Sequence, residues 1–184
     1  MGGAARVVAD GLGGRTTIYD DFSAAADRNG SRILPTVLGS HEPLDLVILM
    51  LGANDMMFGS AFASAKGIRR LVEIVRSFPY RDGAQVPLVL IVAPPRFIQP
   101  TLIDRGPEFE RAVKESRKLC DHYRSATKDL RCWFFDAATV ATPDTIDGVH
   151  LDSKNTRAIG EGLVPIVTDA LALRPSTQKP RECS

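Results

Sequence analysis

The stretch Pro43-Leu44-Asp45-Leu46-Val47-Ile48-Leu49-Met50-Leu51-Gly52-Ala53-Asn54-Asp55 carries an unbroken apolar run, Leu46 to Leu51, into a Gly-x-Asn-Asp turn. Continuous apolar character, in place of alternation, is the mark of a strand buried on both faces. Two further runs have the same form: Pro87 to Ala93 (Pro-Leu-Val-Leu-Ile-Val-Ala), and Cys132 to Phe135 before Asp136. A shorter run, Ala5 to Ala9, precedes Asp10-Gly11-Leu12-Gly13-Gly14 and reads as another strand.

Helical patterns lie between and after these runs. Ala61 to Phe78 sets Ile68, Leu71, Val72 and Val75 at helical spacing, with Pro79 as the stop. Glu108 to Leu130 carries Phe109, Ala112, Val113, Leu119 and Tyr123 as an inner stripe. Ser153 to Leu173 carries Ile159, Leu163, Val164, Ile166, Val167 and Leu171, and Pro175 follows. Strand and helix in alternation imply right-handed crossovers and a parallel sheet between helices, a three-layer α/β/α sandwich. In such sheets function gathers at the carboxyl ends of strands, where Gly11 to Arg15 and Gly52 to Asp55 both fall. Residues 1–173 are expected to form one domain. The tail 174–184 lacks an apolar pattern and is expected to be disordered.

Composition narrows the partners. The chain has 184 residues, 44% of them hydrophobic, and a formal net charge of +1 with no dense Lys/Arg run, so neither nucleic acid nor an anionic membrane is expected as a partner. Cys120, Cys132 and Cys183 are an odd set without paired spacing, which argues against a disulfide framework and for a reduced, cytoplasmic chain. His41, His122 and His150 have no metal-ligand spacing, so no metal or other cofactor is expected. No apolar stretch is long enough to span a bilayer, and the first residues do not resemble a signal peptide.

Asp147-Gly148-Val149-His150 places a carboxylate three residues before an imidazole, in a loop leading into a helix. An Asp so placed can orient a His as a general base. Asn54, at a strand end, can aim its side-chain amide at a developing oxyanion, or can cap the next segment or close an Asx-turn. Asp55 reads as structural, holding the loop through backbone amides. The glycine-rich loop Gly11 to Thr17 could turn its amides toward an anion, although glycine clusters usually mark turns. It fits no phosphate-binding fingerprint, which disfavours a nucleotide-binding protein. Phe58, Phe97 and Ile98 are candidates for an apolar substrate pocket, or ordinary core.

Taken in order, Gly11-Leu12-Gly13-Gly14-Arg15-Thr16-Thr17, the stretch Pro43 to Asp55, and Asp147-Gly148-Val149-His150-Leu151 resemble blocks II, III and V of the SGNH, or GDSL-type, hydrolases. The Arg-Thr-Thr and Asp20-Asp21 context is similar to the arylesterase/acyltransferase branch. The resemblance runs from about Val7 to about Leu171. It implies a flavodoxin-like sheet of strand order 2-1-3-4-5 and a small-molecule ester substrate. It also implies His150 as general base, Asp147 as its partner, and an oxyanion hole built from the Gly14 backbone amide and the Asn54 side chain. The nucleophile it implies is a Ser in a Gly-Asp-Ser block upstream of Gly11.

No Gly-Asp-Ser occurs in this sequence. Ser23, Ser31 and Ser40 follow block II, in what reads as connection, and cannot take that place. Ser60, Ser64 and Ser77 read as helix-surface or cap residues, and Ser153 as the cap of the last helix. The resemblance places the family's first strand between the Ala5 to Ala9 strand and the Leu46 to Leu51 strand, and that strand is expected to be missing. About five buried apolar side chains at roughly 1.5–3 kcal/mol each are worth on the order of 10 kcal/mol, comparable to the roughly 5–15 kcal/mol that holds a domain folded. The expectation is a truncated or inactive hydrolase that folds poorly or only with help. An upstream extension carrying the nucleophile could also carry a signal peptide. The alternative is a non-catalytic module of the same fold that binds a ligand or partner, or forms a homo-oligomer through its open sheet edges.

Overall fold

The computed structural model describes residues 5–101 and 104–173. The tail expected to be disordered lies outside them.

Three strands form a parallel sheet in the order β1 (Leu46–Leu49), β2 (Leu88–Ala93), β3 (Trp133–Asp136). Leu46 is paired with Leu88, Ile91 with Phe134 and Ala93 with Asp136. β2 lies in the centre, and Val89 to Ala93 are buried on both faces. Its alternate side chains point into two cores. Val89, Ile91 and Ala93 join the larger one with α3 (Ala61–Ser77) and α4 (Gly106–Leu130), while Leu90 and Val92 join Ile159 of α5 (Ser153–Ala172), Ala137 and Ala141. Helices on both faces make the three-layer sandwich.

The expected stripes of α3 and α4 are the buried ones: Ile68, Leu71, Val72 and Val75, then Phe109, Ala112, Val113, Leu119 and Tyr123. α5 is looser. Ile159 is buried, but Val164, assigned to its inner stripe, is 61% exposed. Its N-cap is Asp152, whose carboxylate accepts from the Asn155 N–H, and not Ser153. Ser60 does cap α3, but Ser64 lies inside the fold, fully buried against Tyr123.

In the span 23–40, expected to be connection, α1 (Gly30–His41) forms. Asn29 caps it by accepting from the Ser31 N–H, and Leu34 and Leu38 turn toward the core. Pro35, lacking an N–H to give the preceding turn, masks the pattern. The expected Ala5 to Ala9 strand is absent from the described residues. Val7 is 84% exposed, and the nearest pairing is a single parallel bridge between Thr16 and Asn29. An extended segment becomes a strand only when a neighbour takes up its ladder, and β1 does not take up this one. β1 is consequently an edge: Ile48 is 42% exposed, although its apolar run predicts burial on both faces. Along that edge runs a groove of about 270 Å³, between β1 and the Ile33, Leu34 and Val37 side of α1. Val8 and the Asp10–Arg15 ion pair stand at its rim.

Candidate active site

The chain beyond β1 is pinned from below. At Gly52, φ is +112°, and a Cβ there would run into the Tyr123 hydroxyl and lie 2.8 Å from Ser64 Oγ, so only glycine fits the turn. Tyr123 donates to the Leu51 carbonyl at 3.0 Å and shares a 2.7 Å hydrogen bond with Ser64. Burial, reinforced by the charge of nearby Asp55, pushes the Tyr123 phenol far above its ordinary pKa, so it remains a neutral donor. The turn then enters the short helix α2 (Asp55–Phe58).

Asp55 is buried, and its carboxylate accepts from the Thr17 N–H at 2.8 Å and the Thr17 hydroxyl at 2.5 Å. Burial raises its pKa; the two Thr17 bonds and Ser64 oppose that rise. This is the structural role read for Asp55, with a hydroxyl added to the amide. Asn54, in the N-cap position of α2, makes no side-chain cap. It instead donates from Nδ2 to the Arg15 carbonyl at 2.9 Å, which aligns one N–H and leaves the other for a ligand. Loop 11–17 is thereby drawn against the strand end, and Gly14 stands one residue from the carbonyl that holds Asn54. Among the described residues the Gly14 N–H has no protein acceptor.

The second half of the site lies between β3 and α5. Asp147 Oδ1 accepts from the backbone N–H of Val149 at 2.8 Å and of His150 at 2.9 Å, and Oδ2 meets His150 Nδ1 at 2.5 Å. These bonds, the His150 side chain foremost, hold the Asp147 carboxyl down to about 2. With Nδ1 engaged by the carboxylate, the Nε2 end of a ring that is 84% exposed is the one able to take a proton. The loop is anchored through Gly148, whose carbonyl accepts from the Ile98 N–H at 3.0 Å and whose φ of +76° turns it beneath the Ile98 carbonyl. Arg105 donates to the Asp147 carbonyl at 3.0 Å while stacking over Phe109.

The depressed Asp147 pKa carries a sign. A carboxyl whose folded pKa lies below its unfolded value contributes stability above the unfolded value, and that contribution is lost as pH falls through the folded one. The loop should therefore loosen between about pH 4 and about pH 2. An acid titration followed by the His150 ring NMR signals should show this step in the parent and lack it in Asp147→Asn; an identical step in both would contradict it.

The structure thus assembles two pairs, Gly14 with Asn54 and Asp147 with His150. Among the described residues no hydrogen bond joins one pair to the other. They share α4, which holds Leu51 through Tyr123, the Phe97 N–H through Ser116 Oγ at 2.9 Å, and the Asp147 loop through Arg105. Of the pocket candidates, Phe97 takes the core placement weighed beside the pocket one. It is 3% exposed and stacked on Phe109, so it is core. Ile98 is half-buried and anchors Gly148, whereas Phe58 is 46% exposed with its ring stacked on Tyr19. The parts that Thr17, Ser64, Tyr123 and Arg105 play in holding the site went unread in the sequence, where Tyr123 reads as a helix stripe residue and Ser64 as a surface or cap residue. Only Thr17 carried a local signal there, by its place in the glycine-rich loop.

The model of the GDSL-like lipase/acylhydrolase family matches residues 1–157. The chain belongs to that family. Among solved structures it is similar to a carbohydrate acetylesterase family member from Sinorhizobium meliloti, at 47% identity and a TM-score of 0.87, over 91% of this chain and 81% of the other. It is also similar to the aryl esterase of M. smegmatis (32%, TM-score 0.82, 90% and 79%). A second carbohydrate acetylesterase from Sinorhizobium meliloti shares 34% identity at a TM-score of 0.77, over 87% and 76%. No curated protein matches. By family the chain is an ester hydrolase acting on small-molecule esters. Among its described residues, no helix of this GDSL-like hydrolase is long and apolar enough to cross a membrane.

Proposed function

We propose that residues 5–173 carry the base and oxyanion machinery of a serine ester hydrolase or acyltransferase for small neutral esters, and that the serine itself is supplied by a segment outside this sequence. The observation that carries the reading is the 2.5 Å Asp147–His150 contact, with its outward imidazole edge, in the same molecule as an Asn54 amide aligned by the Arg15 carbonyl. His150 would take the serine proton, Asp147 would hold the resulting imidazolium, and Gly14 and Asn54 would receive the oxyanion. The serine oxygen would bond to the ester carbon, and the collapsing intermediate would break the C–O bond to the leaving alcohol, which takes the proton from His150. Water or a second alcohol, deprotonated by His150, would then resolve the acyl-enzyme. The unpaired edge of β1 and its apolar groove support a place for an extra strand, whose carboxyl end would bring the serine beside Gly14.

The solved neighbours, carbohydrate acetylesterase family members and an aryl esterase, suggest acetyl esters of carbohydrate or aryl alcohols as first substrates to try. Phe58 stands one helical turn beyond Asn54, so its exposed ring is suited to flank the ester. Joined to an upstream segment ending in Gly-Asp-Ser, the chain should hydrolyse p-nitrophenyl acetate. Asn54→Ala should then lower kcat by about 10²–10³ with little change in KM. An unchanged kcat would remove Asn54 from the oxyanion hole.

The non-catalytic alternative draws on the same open edge, which invites pairing with another chain. A defined homo-oligomer in which that edge is covered would favour it.

A further inference from the structure

α2 is four residues long and only Asp55 and Met56 are buried in it, with Met57 and Phe58 on the surface, so apolar packing alone holds it weakly. Besides the Thr17 bonds to Asp55 at its amino end, it is anchored from α4. The Arg111 guanidinium donates to three carbonyls at the carboxyl end of α2: Met56 at 3.0 Å, Met57 at 3.1 Å and Gly59 at 2.8 Å. One turn along α4, Glu115 accepts from the Ala61 N–H at 2.9 Å, at the amino end of α3. Each charge faces the helix terminus that favours it, the cation at exposed carbonyls and the anion at exposed N–H groups. The Lys118 ammonium and the Ala61 N–H hold the Glu115 carboxyl below its ordinary pKa, so it stays anionic there.

We infer that Arg111 and Glu115 form a two-charge clasp on the α2–α3 corner, and that Arg111 is a positioning residue for the Asn54 amide at the other end of α2. The inference rests on the oxyanion role proposed for Asn54, but the clasp itself does not need that role. Arg111 touches no reacting group; it acts by stopping the carboxyl end of α2 from fraying, which would let Asn54 turn away from the Arg15 carbonyl.

The test is made on the chain as it stands, by ¹⁵N NMR of the Asn54 side-chain NH₂ pair, assigned by its loss in Asn54→Asp. Arg111→Ala should shift this pair and speed its hydrogen exchange about three- to tenfold, as the loss of one hydrogen bond would. Added ethylguanidinium should partly restore both signatures. Glu115→Gln should move them less, since the amide still accepts. Arg69→Ala removes the Arg69–Asp129 pair elsewhere on the α3–α4 contact and should leave the Asn54 pair in place even where it lowers Tm. An unmoved Asn54 pair in folded Arg111→Ala, or an equal change in Arg69→Ala, would overturn the inference. Failure of the esterase reading would instead appear as absent hydrolysis by a form that carries the serine, with the Asn54 result intact.

Discussion

In a form of the protein that carries the serine, His150→Ala should reduce kcat by about 10⁴- to 10⁶-fold, and Asp147→Ala by about 10⁴-fold. The larger loss follows from geometry. His150 presents the one edge able to accept the nucleophile's proton, and no second imidazole stands in the loop. Asp147 acts through it, fixing the tautomer with Oδ2 and the loop with Oδ1. Because one carboxylate serves both purposes, Asp147→Asn should keep more of the loop than Asp147→Ala while losing most of the rate. Steady-state hydrolysis of p-nitrophenyl acetate by the three variants checks the ranking. A His150→Ala variant within tenfold of its parent would exclude His150 as the base.

Asp55→Ala should destabilise the fold by roughly 2–4 kcal/mol, since it strands the Thr17 N–H and hydroxyl in a site without water access. For a chain of this size that corresponds to a fall in Tm of about 5–15 °C. A cycle with Thr17→Val should show strong coupling, because each change removes the same pair of bonds. The pH dependence of this carboxyl runs opposite to that of Asp147. Its folded pKa lies above the ordinary 3.8, so its contribution declines as pH rises from that value through the raised one. Asp55→Asn should abolish that decline. Thermal melts across pH 3 to 8, a range chosen to bracket the ordinary carboxylate values, check both statements. A melting curve for Asp55→Ala that overlays the parent would show the Thr17 bonds to be dispensable.

How far the sequence could be read depended on how local each cause is. β2 was legible because five of its six residues, Val89 to Ala93, are buried, and α3 and α4 because a single apolar stripe meets a single core. Asp147 and His150 were legible as a pair because three residues of loop are enough to close their contact. Asn54 was legible only as a candidate, since the Arg15 carbonyl that aligns it is 39 residues away in sequence and offers no side-chain signature. α1 was hidden by Pro35. The Ala5 to Ala9 strand failed because strand formation depends on a neighbour, which its own residues cannot provide. Phe97 was ambiguous because an apolar residue after a strand looks the same whether it lines a pocket or, as here, packs on Phe109. Arg111 and Glu115 were unreadable as a clasp, because on a polar helix face they look like any solvated charges.

The most direct test compares hydrolysis of p-nitrophenyl acetate by the 184-residue chain with hydrolysis by the same chain preceded by an apolar strand ending in Gly-Asp-Ser. The proposed machinery predicts background rates from the first. From the second it predicts turnover that disappears when the added Ser becomes Ala and again in His150→Ala. Hydrolysis by the unextended chain that His150→Ala abolishes would contradict the account, as would an extended protein that folds and stays inactive.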